Sequence, residues 1–156
     1  MESQEAYTIG SEWLSKHPVP KLKDSVMFDI DDTLLLVGWG ANELTLSPNT
    51  PIIKLLLDFH KAGYLVYIIT ARDFRGRNQT MDELKEYNIP YHELHMRYPY
   101  SGQHFKSLLK EIITKRGNRF VMSVGDQPID VEGEYSGLKL KLKSRLLETQ
   151  AAHIIR

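Results

Sequence analysis

Short apolar runs at 25–30, 64–69, 91–96, 119–124 and 138–142 punctuate this sequence, and segments of helical period separate most of them. The runs are rich in β-branched and aromatic residues and show little polar alternation, the pattern of strands buried on both faces. Between the first two, Asn49 or Thr50 caps a helix with Pro51 in its first turn, running to about His60 and stopped near Gly63. Residues 76–87 read as an amphipathic helix. Residues 101–115 read as another, with Phe105, Leu108, Leu109, Ile112 and Ile113 on one face. Strands alternating with helices at this spacing imply βαβ units, hence an α/β, Rossmann-like fold of three layers around a mostly parallel sheet. Residues 34–49, with Gly38, Gly40, Asn42 and Pro48, read as loops or a small hairpin.

A chain of 156 residues fits one such domain, assigned here to 25–156. Ahead of it, Ala6, Ile9, Trp13 and Leu14 recur at helical spacing before His17-Pro18-Val19-Pro20 breaks the pattern, so 1–24 read as an N-terminal helix and linker. Twenty basic residues balance twenty acidic ones, which argues against a generic nucleic-acid module held by a basic excess. Zero cysteines exclude a disulfide framework, a thiolate metal site and a thiol nucleophile. No secretion signal and no bilayer-length apolar run is visible, so a cytoplasmic protein with no membrane partner is expected.

In sheets of this kind ligands sit outside the carboxyl ends of the strands. The first strand leads into Asp29-Ile30-Asp31-Asp32-Thr33, the second into Thr70-Ala71-Arg72-Asp73 and the fourth into Gly125-Asp126-Gln127-Pro128-Ile129-Asp130. Asp29, Asp31, Asp126 and Asp130 therefore project toward one crevice, where like charges need a cation to neutralise them. An all-oxygen donor set suits Mg²⁺. Asp29 and Asp31 lie two apart, so one carboxylate can serve as nucleophile and the other as proton donor and acceptor. Thr70 and Lys106 supply the hydroxyl and the cation that a transferring phosphoryl group requires.

These residues resemble the four motifs of the haloacid dehalogenase (HAD) superfamily phosphohydrolases: Asp29-x-Asp31-x-Thr33, Thr70, Lys106 and Gly125-Asp126-x-x-x-Asp130. The nearer resemblance is to the subfamily IIIB acid phosphatases, through Thr70-Ala71-Arg72-Asp73 with Arg77, Thr80 and Leu84, through Leu94-His95-Met96-Arg97, and through Gly125 to Asp130. Ala71 in place of glycine and the missing secretion signal depart from that pattern. The resemblance implies a Mg²⁺-dependent phosphomonoesterase in which Asp29 forms an aspartyl-phosphate. Asp31 would protonate the leaving oxygen and then activate water, while Thr70 and Lys106 stabilise the phosphoryl charge. It assigns the metal to Asp29, Asp126 and Asp31 through its backbone carbonyl, with Asp130 either a ligand or a partner just behind the ligands.

Other residues receive plainer readings. Asp32 is expected to cap or pair on the surface, and Thr33 to bond the turn. Arg72 and Arg77 either bind substrate or pair with Asp73 or Asp82. His92, His95 and His104 match no common zinc spacing, and strand alternation splits the first two onto opposite faces. Trp39, Tyr98 and Tyr100 flank the entrance or pack at its rim. The segments 34–69 and 71–105 leave no room for a substantial cap, so the expected substrate is a small phosphorylated molecule, a nucleotide or a nucleic-acid end. The alternatives are a phosphotransferase, a nucleic-acid end phosphatase, a non-catalytic phosphate-binding relative and a phospho-accepting signalling domain.

Overall fold

The computed structural model describes residues 1–145, and the last stretch of the assigned domain, 146–156, lies outside them. Five strands form one parallel sheet: β1 Asp24–Phe28, β4 Leu65–Asp73, β5 Glu93–Arg97, β6 Arg119–Gly125 and β7 Leu138–Lys141, in the order β5-β4-β1-β6-β7. β2 Leu35–Gly40 and β3 Glu43–Pro48 pair antiparallel as a separate hairpin, which resolves the ambiguous segment after the first strand. The chain steps from β1 out to β4 and β5, then returns to place β6 on the other side of β1. The order thus reverses between β1 and β6, and a crevice opens at their carboxyl ends.

Helices pack on both faces of the sheet. Val26 and Phe28 of β1 pack with Ile52, Leu55 and Phe59 of α2 (Thr50–Ala62) and Leu84 of α3 (Arg77–Glu86). Met27, facing the opposite way, packs with Tyr67, Phe105 and Ile113, the last two from α4 (Phe105–Lys115). Alternation along one buried strand therefore feeds two cores. The N-terminal helix α1 (Ser3–Lys16) lies on α2, and contact is close at Gly10, where an added Cβ would fall 2.8 Å from a Leu55 methyl. Gly63 ends α2 in the left-handed conformation, at a φ of 102°.

Helix α4 corrects the sequence reading. Leu108 and Ile112 are 55% and 48% exposed, whereas Lys106 and Lys110 are buried alongside Phe105 and Ile113. The sheet-facing stripe thus includes two lysines. Among the described residues no helix is long and apolar enough to cross a membrane.

Candidate active site

Beyond β1 the chain coils tightly. The Ile30 carbonyl accepts from the amides of Thr33, Leu34 and Leu35, and Asp32 adopts a left-handed φ of 60°. Asp29 extends the ladder by donating its amide to the Val124 carbonyl at 3.1 Å. This register brings the carboxyl end of β1 beside that of β6. Asp29 and Asp126 are buried there with Asp130, from the four-residue helix α5 (Pro128–Val131). One carboxylate oxygen from each lies within 4.8 Å of the others.

Lys106 donates to Asp29 Oδ1 at 2.8 Å and to Asp130 Oδ1 at 2.5 Å. Thr33 Oγ1 sits 3.3 Å from Asp29 Oδ2 and 3.4 Å from Asp126 Oδ1, so it links two carboxylates rather than only bonding its turn. Asp130 also caps α5, its Oδ2 accepting from the Gln127 amide at 2.9 Å. Thr70, buried at the carboxyl end of the neighbouring strand, accepts from the Arg72 amide at 3.1 Å.

Burial, followed by the charge of Asp130, raises the Asp29 carboxyl well above its ordinary range, although Lys106 pulls the other way. Burial likewise raises Asp126. Burial disfavours the ammonium of Lys106, but the charges of Asp29 and Asp130 outweigh it and hold that pKa above the ordinary value. The cluster carries more negative charge than Lys106 offsets. Three buried oxygen donors in that state suit a hard divalent cation.

Asp31 faces elsewhere. Its two oxygens accept from Arg72 Nε and Nη2 at 3.0 and 2.8 Å, a bidentate pair, and Arg72 also pairs with Glu83 and donates to Thr80 Oγ1 at 3.2 Å. The expected Arg72–Asp73 pairing is not made, because Asp73 is taken by Arg75 and Arg72 turns inward. Asp31, Arg72, Thr80 and Glu83 line a cavity of about 280 Å³ roofed by Leu44 and Leu46 of the hairpin. Thus Asp29, Asp126, Asp130, Lys106 and Thr33 come together, and the Asp31 carboxylate opens onto the adjoining cavity.

Further placements differ from the sequence reading. Asp32 is buried rather than on the surface, accepting from the Val37 amide and from Arg145 at 3.0 Å each, because its turn folds beneath the hairpin. Arg77 donates to the Leu94 carbonyl at 3.0 Å. His92 and His95 both pack on Tyr67, since β5 begins only at Glu93 and alternation does not govern His92. His104 pairs with Glu132. Tyr98 stacks between Phe74 and an 85% exposed Tyr100 at the rim. Sequence reasoning missed Glu83, which gave no signal; Lys110, one helical turn from Lys106 on the same face, is legible in the sequence only as a rival to Lys106.

The family model for HAD superfamily, subfamily IIIB (acid phosphatase) matches residues 39–151, and the chain belongs to that family. A class C acid phosphatase from Bacillus anthracis, solved with tungstate bound, shares its fold at 16% identity and a TM-score of 0.65, over 97% of this chain and 70% of that one. A chain of a Pnkp1/Rnl/Hen1 RNA repair complex matches at 25% identity and a TM-score of 0.62, over 78% of this chain. This protein spans 42% of that RNA-repair chain, and 46% of the chain matched in a second such complex. No curated protein sequence matches it.

Proposed function

We propose that this protein hydrolyses phosphomonoesters through an aspartyl-phosphate on Asp29, with Mg²⁺ at Asp29, Asp126 and Asp130 and the backbone carbonyl of Asp31. The observation that carries this is the buried group of three carboxylates at the sheet's switch point, two of them, Asp29 and Asp130, bridged by Lys106. Bound there, Mg²⁺ would neutralise the carboxylates and draw charge from the phosphoryl oxygens.

An Asp29 oxygen attacks phosphorus in line, and the bond to the leaving oxygen breaks as Asp31 gives that oxygen a proton. Asp31, now a carboxylate, takes a proton from water. The resulting hydroxide attacks the phosphorus of the acyl-phosphate and releases inorganic phosphate and Asp29. Lys106 and Thr70 bind the transferring oxygens. Both Asp31 oxygens accept from Arg72, an arrangement that suits the carboxylate needed by the water-activating step. Delivering a proton to the leaving group requires one of those bonds to open toward the cavity.

The test is hydrolysis of an aryl phosphate with and without Mg²⁺, for wild type and Asp29→Asn. Mg²⁺-dependent turnover that vanishes in a folded Asp29→Asn protein supports the reading. Turnover retained by Asp29→Asn overturns it. A nucleic-acid end as substrate is a second reading, favoured by the likeness to the RNA-repair chain and by the Phe74–Tyr98–Tyr100 stack at the rim. Preference for a phosphorylated oligonucleotide over the matching mononucleotide would mark it.

A further inference from the structure

Lys110 takes no part in the chemistry above, yet it is a fully buried lysine directly behind the acidic loop. Its Nζ lies 2.8 Å from the Asp130 carbonyl, 2.7 Å from Ser136 Oγ and 3.2 Å from Ser123 Oγ. A carbonyl only accepts. The Ser123 hydroxyl donates to the Ser136 carbonyl at 2.8 Å, and the Ser136 hydroxyl donates to the Glu132 carbonyl at 2.7 Å. Each hydroxyl has a single hydrogen, so both serine oxygens act as acceptors toward Lys110. Three acceptors match the three N–H donors of an ammonium, a form that burial disfavours, pushing the Lys110 pKa down to about 7.

A buried ammonium whose three hydrogen bonds all go to neutral oxygens is a costly arrangement, and an apolar side chain of the same length would avoid the desolvation. What it achieves is a junction. One nitrogen ties α4 to β6 through Ser123, to α5 through Asp130 and to the following turn through Ser136. Asp130 is thereby held at three points: Oδ1 by Lys106, Oδ2 by the Gln127 amide, and its carbonyl by Lys110. Asp126 stands at the start of the same loop.

We propose that Lys110 is a positioning residue of the cation site, fixing the 126–131 backbone so that Asp126 and Asp130 present their carboxylates beside Asp29. This rests on the metal reading above. Partners one layer behind metal ligands, when removed, weaken metal binding by roughly 10- to 100-fold. The experiment is an electron paramagnetic resonance titration with Mn²⁺, at one fixed pH, on wild type, Lys110→Met and Ile113→Val. The last variant thins the core on the same helix without touching the loop.

The expected result is a loss of Mn²⁺ affinity of at least about tenfold in Lys110→Met, with Ile113→Val indistinguishable from wild type. A folded Lys110→Met that binds like wild type overturns the proposal, as does an equal loss in Ile113→Val. Should Lys110→Met fail to fold, Ser136→Ala removes one of the three acceptors and leaves the lysine in place. A weakened Mn²⁺ affinity then supports the proposal, and an unchanged one overturns it. Wild type that takes up no Mn²⁺ overturns the metal reading itself, and this inference with it.

Discussion

Asp29 is buried between Asp126 and Asp130, and its carboxyl sits well above the ordinary value of 3.8 because burial and Asp130 both oppose its ionisation. The cation-free folded state therefore binds this proton more tightly than the unfolded chain does. The stability that follows is fully present below 3.8 and is lost as pH climbs through the raised folded value. Asp29→Asn removes the charge and keeps the shape. It is expected to abolish turnover while raising the melting temperature of the cation-free protein by about 3 °C, on the order of 1 kcal/mol. Calorimetry in chelator, with wild type alongside, checks this; a lower melting temperature for the variant would show that the Lys106 pairing outweighs the repulsion. At Asp31 the geometry depends on a guanidinium fork, because Arg72 meets both carboxylate oxygens while Glu83 and Thr80 hold its far side. A lysine cannot reproduce that fork. Arg72→Lys is expected to lower kcat by about tenfold with a smaller change in KM, since proton transfer through an oriented group contributes about 10²–10⁴-fold.

The elements show where the sequence was legible and where it was not. Strands buried on both faces announce themselves as apolar runs, and β1, β4 and β6 fall where those runs lie. The acidic residues at their carboxyl ends read as a site because nothing else explains carboxylates at the edge of so apolar a sheet. Helix α4 misled the periodicity argument because Lys106 and Lys110 occupy sheet-facing positions that a hydrophobic pattern assigns to apolar residues. Leu108 and Ile112 face outward instead. Replacing either by Gln is thus expected to shift stability by no more than about 0.5 kcal/mol, whereas Ile113→Ala should cost about 2–5 kcal/mol. Denaturant unfolding of the three variants separates them. The Asp31–Arg72–Glu83 relay was not legible, because its partners are 41 and 11 residues apart in sequence and no local pattern ties them. Gly125 was visible only as part of a motif, and the structure supplies its reason. A Cβ there would fall 2.2 Å from Asp130 Cβ, so no side chain fits without displacing the acidic loop. Gly125→Ala is expected to lose activity and to lower stability by about 1–3 kcal/mol or more, read together from turnover and thermal melting.

At the scale of the molecule, two features decide what the protein admits and what holds it together. Helix α1 lays Ala6 and Gly10 into the α2 layer, and the Met1 carbonyl accepts from the Lys143 amide at 2.7 Å, next to β7. The N-terminal segment therefore covers core surface, and deleting 1–20 should lower the melting temperature by about 5 °C or more, given 2–4 °C per kcal/mol at this size. The second feature is the thin cover over the site. The β2–β3 hairpin lines the Asp31 cavity through Val37, Leu44 and Leu46, with Trp39 and Leu44 half-exposed near its tip. A site under a closing lid discriminates by leaving-group size, because lid closure completes the catalytic arrangement. A site under a two-stranded rim leaves bulky groups room to extend into solvent past the hairpin tip. The expected outcome is that kcat/KM for an aryl phosphate, a mononucleotide and a phosphorylated peptide agree within about tenfold, or 1.4 kcal/mol in transition-state binding. Replacing 39–44 with a two-residue turn should leave that ratio unchanged. A ratio that widens on shortening the hairpin would make it a specificity element rather than a rim, with Leu44 as the first contact to examine.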